Sequence, residues 1–212
     1  MAPTPPVRPR SGQIAQLVIP VLAMVAVVAA SNILVQYPFE PFGLADVLTW
    51  GAFTYPLSFF VTELTNRRFG PALARRVVYV GFALAAILSI LIAGPRIALA
   101  SACAFLFAQL LDVMVFNRLR YQAWWRPPLV SSVLGSLADT GIFFSLAFAG
   151  TGLATAAYNL GLVQVHLPVW VGWAFGDLAV KLAVAVVLLL PFGALRRIIP
   201  ALETVRGCED LA

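Results

Sequence analysis

The chain alternates long apolar runs with short polar links. About six runs approach the roughly 20 residues that a helix needs to cross a bilayer. They extend approximately from Ile14 to Val35, Val47 to Thr65, Val77 to Ala93, Ile97 to Phe116, Pro127 to Gly150 and Pro168 to Leu190. Prolines punctuate them: Pro56 predicts a kink inside the second, Gly94-Pro95 closes the third, Pro127-Pro128 opens the fifth and Pro191 ends the sixth. The stretch from Thr151 to His166, rich in glycine and threonine, suits either an interfacial or a re-entrant placement. The pattern predicts an all-α, polytopic membrane protein. Residues 1–12 form a leader, 13–195 a membrane domain of about six helices, and 196–212 a tail.

Composition strengthens this reading. Hydrophobic residues make up 61% of the 212 residues and charged residues only 11%, against roughly 25% charged in a soluble domain. Mean hydropathy is +0.93. A chain of this length cannot hide so much apolar sequence in a soluble core, so the surplus faces lipid. The net charge of +5 matters through its placement rather than its sign, and no nucleic-acid partner is expected.

The arginines fall on one side of the expected topology. Arg8 and Arg10 precede the first run, and Arg67, Arg68, Arg75 and Arg76 separate the second from the third. Arg118, Arg120 and Arg126 lie between the fourth and fifth, and Arg196, Arg197 and Arg206 follow the sixth. The opposite links hold Arg96 beside the acids Glu40 and Asp46. By the positive-inside rule both termini are cytoplasmic, in the inner membrane of the cell. Ala29-Ala30-Ser31 resembles a signal cleavage site, but the run is too long for a signal peptide and its removal would break the charge alternation. Cys103, Cys208 and the single His166 make neither a disulfide framework nor a metal site, and no cofactor is expected.

Ionisable groups inside spans are expensive, and they mark candidate chemistry. Helical spacing collects them on faces. Tyr55, Phe59, Glu63 and Asn66 share one stripe, and Phe105, Gln109, Asp112 and Phe116 a second. Ser132, Ser136, Asp139 and Phe143 form a third, and Trp170, Trp173, Asp177 and Lys181 a fourth. Asp139 stands roughly 16 Å along its helix from Pro128, and Asp177 roughly 13 Å from Pro168, which puts both near mid-bilayer. Asp177 and Lys181, in the favourable acid-first i, i+4 order, read equally as a neutralising pair or as part of a solute site.

Several of these segments resemble the queuosine precursor transporter family, in the vitamin uptake transporter group. They are Leu48-Thr49-Trp50-Gly51-Ala52-Phe53-Thr54-Tyr55-Pro56, Thr62-Glu63-Leu64-Thr65-Asn66-Arg67-Arg68-Phe69-Gly70 and Gln109-Leu110-Leu111-Asp112. Trp124-Trp125-Arg126, Ser136-Leu137-Ala138-Asp139-Thr140-Gly141 and Gly176-Asp177-Leu178-Ala179-Val180-Lys181 complete the set, covering about Ser31 to Pro191. Glu63 stands where the family usually has Asp. The resemblance implies an inner-membrane importer of 7-cyano-7-deazaguanine, or its 7-aminomethyl relative, salvaged for queuosine in tRNA. The purine edge of such a solute offers a donor pair to a carboxylate, its carbonyl needs a donor, and its ring favours an aromatic face. Asp139 or Asp112 is expected to accept the edge, Gln109 and Asn32 to complete it, and Trp50, Tyr55 or Phe143 to stack, with Glu63, Asp177 and Lys181 in the same set.

No phosphate-cradling Gly-rich loop is present, so the chain has no Walker route to ATP hydrolysis. Uptake is then secondary or facilitated, with alternating access between two three-helix halves as one arrangement. The alternative is a substrate-binding membrane subunit of an energy-coupled vitamin uptake complex. An intramembrane enzyme comes third: Ala174 replaces the first glycine of a Gly-x-Gly-Asp protease motif, and no other hydrolase signature occurs. The expected partners are a small purine-like solute and the lipid bilayer. A homo-oligomer is left open.

Overall fold

The computed structural model describes residues 17–159 and 164–202. Helix α1 spans Val18–Leu34, a short α2 Gly51–Thr54, α3 Leu57–Phe69, α4 Pro71–Ile92, α5 Pro95–Leu119, α6 Arg126–Phe148 and α7 Val169–Ile198. The expected leader and most of the tail lie outside the described residues.

Proline and glycine set the boundaries. Gly70, with φ 84°, turns α3 into α4, and Pro71 and Pro95 occupy first helical turns, where a missing N–H costs nothing. Among the described residues four helices, α4 to α7, are long and apolar enough to cross a bilayer, fewer than the about six expected. The other two runs are present in different form. Helix α1 is apolar but 17 residues long, about 26 Å at the usual rise. The second run is divided at Tyr55-Pro56 into α2 and α3, and α3 is diluted by Thr62, Glu63, Thr65, Asn66, Arg67 and Arg68.

Pro191 does not end the last helix. Helix α7 continues through it to Ile198, because the following turn is held by packing: Phe192 is buried against Phe60 and Phe116, with ring centroids 6.4 and 6.2 Å away. The 151–166 stretch contains an antiparallel hairpin, β1 Thr155–Asn159 with β2 Gln164–Pro168, registered Thr155 to Pro168. This hairpin is the sole departure from helix among the described regular elements other than short 3-10 turns.

Helices α5 and α6 form the most extensive contact, flanked by α4 and α7, while α1 packs on α4. The apolar core joins Met24 and Val28 of α1 to Val77, Val78 and Ala85 of α4 and Phe105 and Val113 of α5. Small residues let the helices approach: Ala98, Ala100, Ala104 and Ala108 line the buried side of α5. Outward positions are apolar as well. In the most hydrophobic stretch of α7 only 17% of residues are buried, a ratio that suits lipid and not water. The chain is a multi-pass helical membrane protein.

Candidate functional site

Polar side chains concentrate on the inner faces of α3, α5, α6 and α7, where they form successive rungs along the bundle axis. The rung nearest the arginine-poor side is ionic. Lys181 of α7 is 4% exposed, and its Nζ donates to Asp139 Oδ2 at 2.7 Å and to Thr140 Oγ1 at 3.2 Å. It also pairs with Asp177 Oδ2 at 2.5 Å. Tyr55 donates its hydroxyl to Asp139 Oδ1 at 2.7 Å, and the Lys181 ammonium lies 5.1 Å from the Tyr55 ring centroid. Thr140 donates to Asp177 Oδ2 at 2.8 Å. Both oxygens of Asp139 are thereby engaged. Asp177, the most accessible member at 16% of its side chain, keeps Oδ1 without a bond from this network.

The break between α2 and α3 explains how Tyr55 arrives there. Pro56 removes one backbone donor, and α2 stops after a single turn, with Tyr55 N–H bonding back to Gly51 O at 2.9 Å. Gly51 permits a close approach, since a Cβ there would stand 2.8 Å from Val35 Cα. On α6, the i−3 spacing from Asp139 to Ser136 and the adjacency of Asp139 to Thr140 aim one carboxylate and two hydroxyls inward.

Above this rung lies a cavity of about 430 Å³, within the usual range for small-molecule sites. Its polar lining includes Asn32, Tyr55, Asp139, Asp177 and Lys181 together with Asp46 and the hydroxyls of Ser31, Thr49, Ser58 and Ser101, and Phe143, Phe144, Phe148 and Trp173 make an aromatic wall. Phe148 meets Trp173 edge-on at 5.5 Å, and Phe143 meets Phe144 edge-on at 5.1 Å. Asn32 is held by Ser89, which donates to its Oδ1 at 3.1 Å, while its Nδ2 donates to Val28 O. The helical lining residues are Gly51 and Ala52 of α2, Ser58 at the start of α3, and residues in the halves of α1, α4, α5, α6 and α7 that lie away from the arginine-rich links.

Toward the arginine-rich side polar rungs separate this cavity from a second one of about 320 Å³, bordered by Arg67, Phe116, Arg120, Phe192 and Arg196. Gln109 donates to Ser58 Oγ and accepts from Thr62 Oγ1, each at 2.7 Å. The next rung holds Glu63, which accepts from Ser132 at 2.7 Å and Ser131 at 3.3 Å. Asp112 lies beside it, close enough to repel it. Asp112 is fully buried, and neither of its oxygens has a hydrogen-bond partner. The last rung is Asn66, which donates to Val113 O at 3.0 Å and accepts from Arg120 at 2.7 Å.

Of the expected site residues, Asn32, Tyr55, Asp139, Phe143, Asp177 and Lys181 therefore meet at one cavity. Gln109 lies one layer below, touching the cavity only through Ser58, and Glu63 with Asp112 lies lower still. Trp50 stands apart, 42% exposed and packed on Phe39 and Phe53 at 4.7 and 6.1 Å. Sequence reasoning did not single out Thr140, Ser58, Thr62 or Ser131, because small hydroxyls in a helix usually bond their own backbone. For Thr62 and Thr140 the signal was position, each adjoining a buried acid; Ser58 and Ser131 have no acid or amide within a turn of their own helix.

Residues 49–94 and 89–195 match a family profile described as "Putative vitamin uptake transporter". A "Probable queuosine precursor transporter" of Haemophilus influenzae is 35% identical over 196 residues, covering 78% of this chain and 79% of the relative. The "Queuosine precursor transporter" of Escherichia coli is 34% identical over 186 residues, with the same two coverages. A "Probable queuosine precursor transporter" of Bacillus subtilis is 32% identical over 148 residues, 57% of this chain and 64% of the relative. No solved structure matches the chain.

Proposed function

The chain belongs to the queuosine precursor transporter family and is a membrane transporter, and from that premise we propose that it imports 7-cyano-7-deazaguanine, or its 7-aminomethyl relative, across the inner membrane by secondary or facilitated transport. The observation that carries this reading is the acceptor left at the cavity by the ionic rung. Asp177 Oδ1 has no partner from the network and stands among Phe143, Phe148 and Trp173 in the lining. A flat deazaguanine has donors along one edge and a π face, and it needs both features of such a wall.

Lys181 tempers the site. Two carboxylates and one ammonium leave the cluster one negative charge when all are ionised, which suits a donor edge and disfavours an anionic solute. Asp139, held at both oxygens, positions Lys181 and Tyr55, so Asp177 takes the contact with solute. Asn32 and Tyr55 also line the cavity and border the solute ring.

The test is salvage in cells that can neither make nor import the precursor, read as queuosine in tRNA at limiting external 7-cyano-7-deazaguanine. Wild type restores the modification. Asp177→Asn, at normal membrane abundance, loses about tenfold or more of the uptake, the order expected for a hydrogen bond to a charged group. Restoration by Asp177→Asn at the wild-type rate would remove Asp177 from the contact, and failure by wild type would remove the substrate.

A further inference from the structure

The Glu63–Asp112 rung takes no part in the cavity, yet it is the most costly arrangement in the bundle. Two carboxyls, from α3 and α5, are neighbours beside Ser131 of α6, with relative exposures of 3% and 0%. Ser132 donates to Glu63, while the single hydroxyl proton of Ser131 is contested by Glu63, Pro128 O and Asp112, and neither Asp112 oxygen has a hydrogen bond of good geometry. Among the described residues the ion pairs are those of Lys181 with Asp139 and Asp177, and no cation pairs with Glu63 or Asp112.

The surrounding elements offer no compensation. Helix α1 carries no titratable side chain, and Arg75, Arg76 and Tyr79 of α4 are exposed. On α6, Arg126 lies over Trp125 and Asp139 belongs to the ionic rung. On α7, Lys181 and Asp177 belong to that rung too, and Arg196 lies over Trp124. At the near end of the seam, Arg120 bonds Asn66 Oδ1 and O, and Arg67 reaches Arg196 O. Arg118 of α5 is exposed. Two ionised carboxylates cannot share such a place without a counter-ion, since like charges in a low dielectric repel by several kcal/mol.

We propose that Glu63 and Asp112 form a proton-binding site that couples solute import to inward proton movement. This deepens the transport reading and rests on it for the solute, though not for the proton. The pair holds one proton between its carboxyls while the arginine-side half of the bundle is closed. When that half opens to the cytoplasm, water reaches the pair and the proton leaves with the solute, so one positive charge crosses beside each neutral 7-cyano-7-deazaguanine. Reloading comes from the cavity. On α6, Ser136 lies between Asp139 at the cavity and Ser132 on Glu63, and its buried hydroxyl has no hydrogen-bond partner. The run from Asp139 to Ser132 covers about 10 Å of helix, a hydroxyl path from cavity to pair.

Infrared spectroscopy of the purified, solute-free protein reads the proton directly. Wild type shows a protonated-carboxyl stretch that moves in deuterium oxide; the isosteric Glu63→Gln and Asp112→Asn variants each shift it, because the remaining carboxyl keeps a proton of its own, and their combination abolishes it. Its absence in wild type, or its survival in the combination, overturns the site. In liposomes, wild type accumulates 7-cyano-7-deazaguanine under an inward proton gradient and acidifies the lumen as it does so. Both variants keep exchange of internal for external solute, which also shows that they fold, and lose gradient-driven accumulation. Accumulation driven by the proton gradient in both variants, or by a sodium gradient alone in wild type, overturns the coupling. A wild type that carries the infrared band but does not exchange the solute refutes the substrate and leaves the proton site standing.

Discussion

At the scale of single residues the ionic rung is held by Lys181, which neutralises one of two carboxylates and fixes both. Removing its ammonium leaves Asp139 and Asp177 facing each other inside the bundle, and breaking a buried pair from one side costs about 3–5 kcal/mol. Lys181→Met is therefore expected to lower the thermal midpoint in detergent sharply, and Lys181→Met with Asp139→Asn to recover part of the loss. A double variant no more stable than the single one would show that Asp139 is not the stranded charge. Tyr55→Phe makes a finer cut. It removes one hydroxyl from Asp139 Oδ1 and keeps the ring beneath the ammonium. The lost bond, to a charged acceptor, is of the order of 1.5–3 kcal/mol. Uptake at limiting solute should fall while membrane abundance stays near wild type. Equal uptake by Tyr55→Phe would mean that Lys181 alone orients Asp139.

At the scale of elements, α3 reaches the α5–α6 pair because α6 lacks a side chain at one point. A Cβ on Gly135 would stand 2.8 Å from Cε1 of Phe59, whose ring is wholly buried and cannot swing aside. Gly135→Ala should lower the thermal midpoint through overpacking, on the order of 1–3 kcal/mol, and Phe59→Leu should partly rescue it. No change in Gly135→Ala would mean that α3 sits farther from α6 than described. Gly81 differs, because its close neighbour is the flexible Met24 side chain at 2.7 Å, so an alanine there is tolerated better. This contrast also bears on what the sequence could reveal. The apolar runs showed α4 to α7 because each is continuous and bounded by proline or glycine. They overstated the second run, whose division at Tyr55-Pro56 depends on α2 folding under Val35. They understated α7, since its continuation past Pro191 depends on Phe192 meeting Phe60 and Phe116. Helical spacing put Asp139 and Phe143, and Asp177 and Lys181, on shared faces, and they do share the cavity. Residue counts along each helix, which put Asp139 and Asp177 near mid-bilayer, also set Glu63 and Asp112 within a turn or two of Arg67 and Arg118; they were nonetheless grouped, with Gln109, with a cavity that lies rungs away. The tertiary alignment of α3 with α5 shows that they form rungs of their own.

At the scale of the whole molecule, the cavity and the arginines lie at opposite ends. The helical lining comes from α2, the start of α3, and the halves of α1 and α4 to α7 nearest the links that hold Arg96, Glu40, Asp46 and the hairpin. The other half is sealed by rungs ending at Asn66 and Arg120. If the arginine-rich links are cytoplasmic, as charge bias dictates, this is a conformation whose solute site belongs to the outer side and whose closed half must part for release. The orientation is testable apart from transport. In a background of Cys103→Ser and Cys208→Ser, Gln122→Cys reports on the link between α5 and α6, and Thr151→Cys on the link between α6 and the hairpin; both positions are exposed. A membrane-impermeant maleimide should label Thr151→Cys in intact spheroplasts and Gln122→Cys only in inverted vesicles. The reverse pattern would place the cavity on the cytoplasmic side and make this the inward-facing state. Labelling of Gln122→Cys should also be compared with and without solute, since opening of the sealed half moves Arg120 off Asn66 and loosens the link that follows it. Solute-dependent labelling there, absent at Thr151→Cys, would tie the rungs between Tyr55 and Asn66 to the inner gate.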